Sequence, residues 1–214
     1  MSEMWSTLSL PWQVCLEQAW EAYCAGSLPI GAAIIGADGG VLARGRNRIF
    51  ESSAEGEYLF GQTLAHAEVN ALVSLPIQDG DIRHSLALYT TTEPCPLCMG
   101  AFYMSGLREL HYASREPYAG SVNLLGTTPY LSRKPIRVYG PDQVKLEIII
   151  VAMKVEFHLL KWGDGVETVM ESWELVIPKG VRLGRALFQS GELQSMKENG
   201  LNVEQVLNRL GEIV

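Results

Sequence analysis

The chain has 214 residues, a net charge of −7, a pI near 5.2 and 47% hydrophobic residues. That length suits one domain with an appendage and a proper core. No run of about 18 apolar residues offers a membrane span, no basic segment leads into an apolar stretch as a signal peptide would, and the acidic balance disfavours a large polyanionic partner, because gripping nucleic acid takes a basic surface that displaces counterions.

The expected location is therefore the cytoplasm, and the expected substrate is small and nearly neutral. The nearest approach to a span, Ile148 to Leu160, is interrupted by Lys154, Glu156 and His158. Residues 10–25 predict a helix, with Ser9 as its cap, Pro11 in its first turn and Val14, Ala19, Ala22 and Tyr23 on its inner face. Cys15 and Cys24, both in this helix, read as small buried apolar residues. Two strand-like runs, 30–37 and 41–47, flank Asp38-Gly39-Gly40, a strong hairpin signal. Residues 48–63 form a loop rich in Ser, Gly and Glu, long enough to suggest a rim or lid. Its Tyr58 and Phe60 either touch a substrate or pack the loop onto the body.

A helix over 65–75 stops at Pro76. A strand follows at 86–91, then a helix over 94–105 with Pro96 in its first turn, a strand at 107–113, a fifth strand at 136–139 and a long apolar helix over 143–162. Strands alternating with helices predict an α/β fold whose sheet is covered on both faces, and the opening hairpin makes that sheet mixed. Residues 163–214 read as a helical C-terminal extension to a domain of residues 1–162. One extension helix runs through Val166, Val169, Met170 and Trp173. Another runs through Val203, Val206, Leu207, Leu210 and Ile213, opened by an Asn202–Gln205 capping box. The extension holds eight acidic and five basic residues, so it is no basic RNA-binding tail.

Two short motifs carry the chemistry: His66-Ala67-Glu68 and Pro94-Cys95-Pro96-Leu97-Cys98. One imidazole and two thiolates leave a tetrahedral zinc one open position, the arrangement of a catalytic metal. Cys95 and Cys98, three apart, share one side of a helix start, where unpaired N–H groups lower thiol pKa and favour the thiolate. His66 and Glu68, at another helix start, reach a site just beyond the helix end. Zinc lowers the pKa of water to about 7, and Glu68 is placed to carry protons. A structural zinc and a redox C-x-x-C pair are the competing readings; no βαβ context precedes the pair to favour the second.

His-x-Glu followed by Pro-Cys-x-x-Cys is the signature of zinc nucleobase deaminases. On these motifs the chain resembles the cytidine and nucleoside deaminase superfamily, in the branch containing guanine deaminase and tRNA adenosine deaminase. Pro29-Ile30-Gly31-Ala32-Ala33 resembles the segment opening the family's first strand. Gly45-Arg46-Asn47-Arg48 resembles the segment whose asparagine touches the base or sugar. Ala113-Ser114-Arg115-Glu116 resembles an Ala-x-Arg-Asp segment, with Glu116 where aspartate is usual. The resemblance spans about residues 4–162. It implies a three-layer α/β/α cytidine-deaminase-like fold with a five-stranded sheet, one Zn2+ per subunit on His66, Cys95 and Cys98, and Glu68 as the catalytic proton carrier. It also implies substrate contacts from Asn47, Ala67, Glu93, Pro94 and Glu116, and a homodimer. The segment between Asn47 and His66 is longer than the tRNA-type pattern, and residues after 163 have no counterpart in it.

These readings predict a hydrolytic deaminase of a free nucleobase or nucleoside, with a guanine-like purine as first guess. The alternative is a tRNA adenosine deaminase making inosine. A zinc-stabilised binding subunit without activity is a third reading, against which the intact Glu68 argues.

Overall fold

The computed structural model describes residues 3–54, 56, 58–76 and 79–214. The Asp38-Gly39 turn joins β1 (Gly31–Ile35) to β2 (Val41–Arg46) at the edge of a five-stranded sheet of order β2-β1-β3-β4-β5. β1 pairs antiparallel with both β2 and β3 (Ala87–Thr90), while β3, β4 (Glu109–Tyr112) and β5 (Arg137–Tyr139) run parallel. The sheet is mixed, as the sequence predicts. The strands are shorter than the apolar runs that signalled them, because the flanking residues leave the ladder as turns and helix leads.

The alternation of β1 separates the two cores. Ala33 and Ile35 pack with α1 (Leu10–Cys24) and α5 (Val144–Trp162). Ala32 and Ile34 pack with α2 (Ala67–Ser74) and α4 (Pro96–Ser105), whose Ala71, Met99 and Phe102 meet Leu88 and Leu110 of the sheet. The result is three layers, α/β/α. A short turn of helix, α3 (Gly80–Arg83), precedes β3. Among the described residues no helix is long and apolar enough to cross a membrane.

Gly45 sets how closely α2 approaches the sheet. A Cβ there would sit 2.3 Å from the Ala71 nitrogen and 2.4 Å from the Ala67 carbonyl oxygen. Both are helix backbone that cannot turn aside, so only glycine lets the first turn of α2 lie against β2.

Beyond α5 the extension folds as α6 (Glu167–Val176), α7 (Pro178–Ser190), α8 (Glu192–Glu198) and α9 (Val203–Ile213). The capping box is present: Gln205 N donates to Asn202 Oδ1, and Asn202 N to Gln205 Oε1, each at 3.0 Å. α7 and α8 are absent from the sequence reading: glycines inside α7 argue against a helix there, and α8 is only seven residues long. In α7 the glycines serve packing. A Cβ on Gly184 would lie 2.5 Å from the Val155 Cβ and 2.7 Å from the Ala152 carbonyl oxygen, so α7 presses directly onto α5. Apolar residues of α5, Val151 and Val155 among them, are thereby buried within the chain. α8 and α9 complete the core around α1, with Leu193, Val206, Leu207 and Leu210 against Trp12, Leu16 and Trp20.

Two details of α1 differ from expectation. Ser9 occupies the N-cap without a side-chain capping bond. Cys15 is buried but Cys24 is exposed; nine residues at about 100° each place them on opposite sides of the helix.

The polar interruptions of α5 face inward, each with a partner. Glu156 is fully buried. The Tyr23 hydroxyl donates to both its oxygens at 2.9 Å, and the Gln194 amide of α8 donates at 3.3 Å. Burial raises the Glu156 pKa above the carboxylate range, against the hydrogen bonds from Tyr23 and Gln194. A carboxyl raised in this way contributes stability that is full below the unfolded value of about 4.3 and lost as pH rises through the folded value. Glu156→Gln should therefore melt above the wild type at pH 8 by roughly 2–4 °C, the shift given by about 1 kcal/mol in a chain of this size, and show no advantage at pH 4.5. Gly45→Ala should cost about 1–3 kcal/mol through overpacking, read as a lower melting temperature by calorimetry.

Candidate active site

Two helix starts converge beyond the sheet. His66 is the N-cap of α2, and Cys95 is the N-cap of α4, which follows β3 through Thr91-Thr92-Glu93-Pro94. Neither N-cap side chain makes a capping hydrogen bond, so both point away from their own helices. Pro96, in the first turn of α4, needs no N–H there. The His66 Nδ1 lies 3.6 Å from Cys95 Sγ and 3.4 Å from Cys98 Sγ. All three donor atoms fall within 4.8 Å of one another. Zn–S of about 2.3 Å and Zn–N of about 2.0–2.1 Å at a tetrahedral angle put nitrogen and sulfur about 3.6 Å apart, so the donor set fits zinc in type and in spacing.

Glu68 is 4% exposed. The Thr90 hydroxyl donates to its Oε1, and the Cys98 thiol to its Oε2, each at 3.2 Å. Burial pushes the Glu68 carboxyl above the usual range. The hydrogen bond from Cys98, with help from His66, pulls the Cys95 thiol down to about 4, while the same bond and burial push Cys98 up. The bond to Cys95 raises the His66 pKa against burial. The site thus stabilises one thiolate at a helix start beside an imidazole.

A cavity of about 230 Å³ opens from these groups, smaller than the roughly 300–1,000 Å³ of sites for drug-sized ligands. His66, Glu68, Cys95, Asn47, Glu93 and Glu116 all line it. Asn47 is 1% exposed and its carbonyl oxygen accepts the Ile49 N–H at 3.2 Å, which leaves the NH2 group for the cavity. Glu93 Oε2 accepts the Glu116 N–H at 3.2 Å. Arg115 grips Glu147 at the start of α5 through Nε and Nη2 at 2.8 and 2.9 Å, which fixes the neighbouring Glu116.

Ala67 and Pro94, expected to offer backbone contacts, do not line the cavity with their side chains. Ala67 is buried in the α2/α4 core and is not a lining residue. Pro94 does not line the cavity either; its carbonyl accepts the Ser121 N–H at 2.9 Å. Glu116 is at the cavity, but both its oxygens are taken, by Trp173 Nε1 at 2.9 Å and Lys154 Nζ at 2.7 Å. Of the loop aromatics, Tyr58 lies under the Arg48 guanidinium at 4.8 Å and Phe60 is exposed; neither lines the cavity.

Sequence reasoning passed over Asn70, Lys154, His158 and Trp173. Asn70 pins the long loop to α2: its Oδ1 accepts the Leu59 N–H at 2.8 Å and its amide donates to the Leu59 and Arg46 carbonyls at 3.1 Å. Lys154 and His158 from α5 and Trp173 from α6 form a wall of the cavity. The signal for Lys154 was present, as a charge in the middle of an apolar helix.

Comparison with known proteins agrees with this geometry. The family model for the cytidine and deoxycytidylate deaminase zinc-binding region matches residues 7–114. The cytosine deaminase of Candida albicans is 33% identical over 114 residues, which is 53% of this chain and 70% of that protein. The tRNA-specific adenosine deaminase of Agrobacterium fabrum is 32% identical over 111 residues, 51% of this chain and 67% of that protein. A solved structure of a mutant of NE0047 in complex with 8-azaguanine superposes with a TM-score of 0.54 at 25% identity, covering 69% of this chain and 81% of the other. With the family model spanning half its length, and His66, Cys95 and Cys98 brought together in a set that could hold a metal ion, the chain belongs to the cytidine and deoxycytidylate deaminase family.

Proposed function

We propose that the chain is a zinc-dependent hydrolytic deaminase of a free nucleobase or nucleoside, with a guanine-like purine as the first candidate. The observation that carries this reading is the His66–Cys95–Cys98 triad at zinc spacing with the buried Glu68 carboxyl against it. One zinc per subunit on that triad supplies Lewis-acid activation of water. Glu68 does the proton work. Thr90 holds Oε1, and Cys98, once it holds zinc as a thiolate, would no longer donate to Oε2, which frees Oε2 to accept the proton water gives up, pass it to a ring nitrogen and support departure of the amine. In balance, a C–O bond forms to the water oxygen, the exocyclic C–N bond breaks, and ammonia leaves. The Asn47 NH2 donates to the ring or sugar, and Glu93 and Glu116 shape the rim. A homodimer in the cytoplasm completes the proposal by analogy, with exposed Leu97 and Met104 of α4 available to a partner.

The second reading, a tRNA adenosine deaminase, is favoured by the Agrobacterium fabrum relative and opposed by the net charge of −7. It predicts salt-sensitive tRNA binding at low ionic strength; a filter-binding titration without affinity removes it.

Metal analysis should find one zinc per chain, and His66→Ala or Cys95→Ser should reduce it to a small fraction. Glu68→Gln should keep zinc and lower ammonia release by about 10²–10⁴-fold. Ammonia assays across guanine, adenine, cytosine and their nucleosides test the reaction. Silence of the zinc-loaded protein on every compound, or normal turnover by Glu68→Gln, overturns it.

A further inference from the structure

The proton chemistry makes no use of the wall built by α5 and α6. Lys154 is 1% exposed, yet it lines the cavity. An ammonium carries three donors, and among the described residues one acceptor meets them, Glu116 Oε2 at 2.7 Å. Its nitrogen also lies 4.6 Å from the centre of the Trp173 ring, a cation–π contact. A buried ammonium with donors to spare carries a desolvation cost that a ligand oxygen relieves. A second group on the same cavity is also unspent: the Thr92 hydroxyl is buried and, among the described residues, has no hydrogen-bond partner.

His158 supplies the opposite polarity. Its Nδ1 donates to the Lys154 carbonyl at 2.8 Å, and burial lowers its pKa, which keeps the ring neutral and leaves Nε2 as an acceptor. The wall therefore sets the Lys154 and Thr92 donors beside the His158 acceptor. Its complement is a carbonyl oxygen next to a ring N–H, the lactam edge of an oxo heterocycle. Charge selects in the same direction. Lys154 and Glu116 neutralise each other, so a neutral carbonyl enters without charge imbalance, whereas a phosphate would meet the carboxylates of Glu93 and Glu116.

We propose that Lys154, oriented by Glu116 and Trp173, is the specificity-determining residue of the cavity, selecting amino-substituted heterocycles that carry a ring carbonyl over those that lack one. This inference rests on the deaminase reading. It also assigns Glu116 as a positioning residue, because both its oxygens are engaged by Lys154 and Trp173.

The test compares compounds differing only in the carbonyl: guanine with 2-aminopurine, and cytosine with 4-aminopyrimidine. Titration calorimetry of xanthine and uracil, the deaminated oxo bases, reads binding without turnover. The wild type should prefer the carbonyl member of at least one pair by more than about 30-fold in kcat/KM. Lys154→Met combined with Glu116→Gln removes both charges together and should shrink that preference to within about 3-fold, the loss falling on KM, and weaken oxo-base binding at least about 10-fold with zinc content unchanged. An undiminished preference or affinity in the double variant overturns the inference, as does a wild type that binds none of the compounds. Lys154-dependent oxo-base binding without ammonia release from any compound upholds the inference for binding and sinks the deaminase reading instead. Should the double variant not fold, a crystal structure of the wild type with xanthine or uracil decides: a carbonyl oxygen within about 3.2 Å of Lys154 Nζ supports the proposal, and one bound elsewhere in the cavity overturns it.

Discussion

The whole site depends on two helices beginning at the same point. Each helix start presents unpaired N–H groups and a partial positive charge, so bringing two together without an anion between them would be unfavourable. The thiolate of Cys95 answers that field from one N-cap, and His66 sits at the other. The groups that could hold a metal therefore include the two residues that would otherwise cap their helices. The arrangement holds because α2 is held by backbone contact at Gly45 and α4 is tied to β3 by the short Thr91–Pro94 connection. A small rotation of either helix would change the nitrogen–sulfur distances of 3.4 and 3.6 Å on which the donor set depends.

α5 links that site to the extension. One side of it covers the sheet with α1, another receives α7 at glycine distance, and its buried polar residues separate two environments. Lys154 and His158 turn to the cavity, while Glu156 turns to Tyr23 and Gln194. Spacing of two residues along a helix explains the division, since neighbours at i and i+2 diverge while i and i+4 share a face. α6 lies over the cavity side and contributes Trp173, so the extension is part of the pocket wall as well as of the core.

Much of this was legible in the sequence because its signals are local. The Asp-Gly hairpin, the strand-like run of residues 30–37, the two helix starts and the Asn202–Gln205 box are each written within a few neighbouring residues. The triad was legible too, because two helix-start motifs of defined spacing leave little freedom in how their side chains meet. What stayed hidden required contacts distant in the chain. Gly180 and Gly184 weaken a helix in isolation and are explained only by Val151 and Val155 of α5. Glu116 reads as a free acid until Lys154 and Trp173, 38 and 57 residues away, occupy both its oxygens. The bond from Ser121 N–H to the Pro94 carbonyl likewise joins residues 27 apart.

The charge pattern of the cavity explains why one lysine matters there. Glu68, Glu93 and Glu116 line a space of about 230 Å³, and three carboxylates in so small a volume would repel any anion. Three local effects moderate them. Glu68 has a raised pKa, Glu93 accepts a backbone N–H from Glu116, and Glu116 is paired with Lys154. Among the described residues the ammonium is thus the cationic donor on the wall away from the triad, alongside groups that mostly accept. A polar but uncharged heterocycle meets both sets: its amine toward Glu68 and the metal ligands, its oxygen toward Lys154. The ion pair resists separation, because removing either partner alone leaves an uncompensated buried charge at a cost of about 3–5 kcal/mol. That coupling ties the orientation of the donor to Glu116, and through the Arg115–Glu147 grip to the start of α5, so the selectivity of the wall is set by the packing of the extension against the deaminase core.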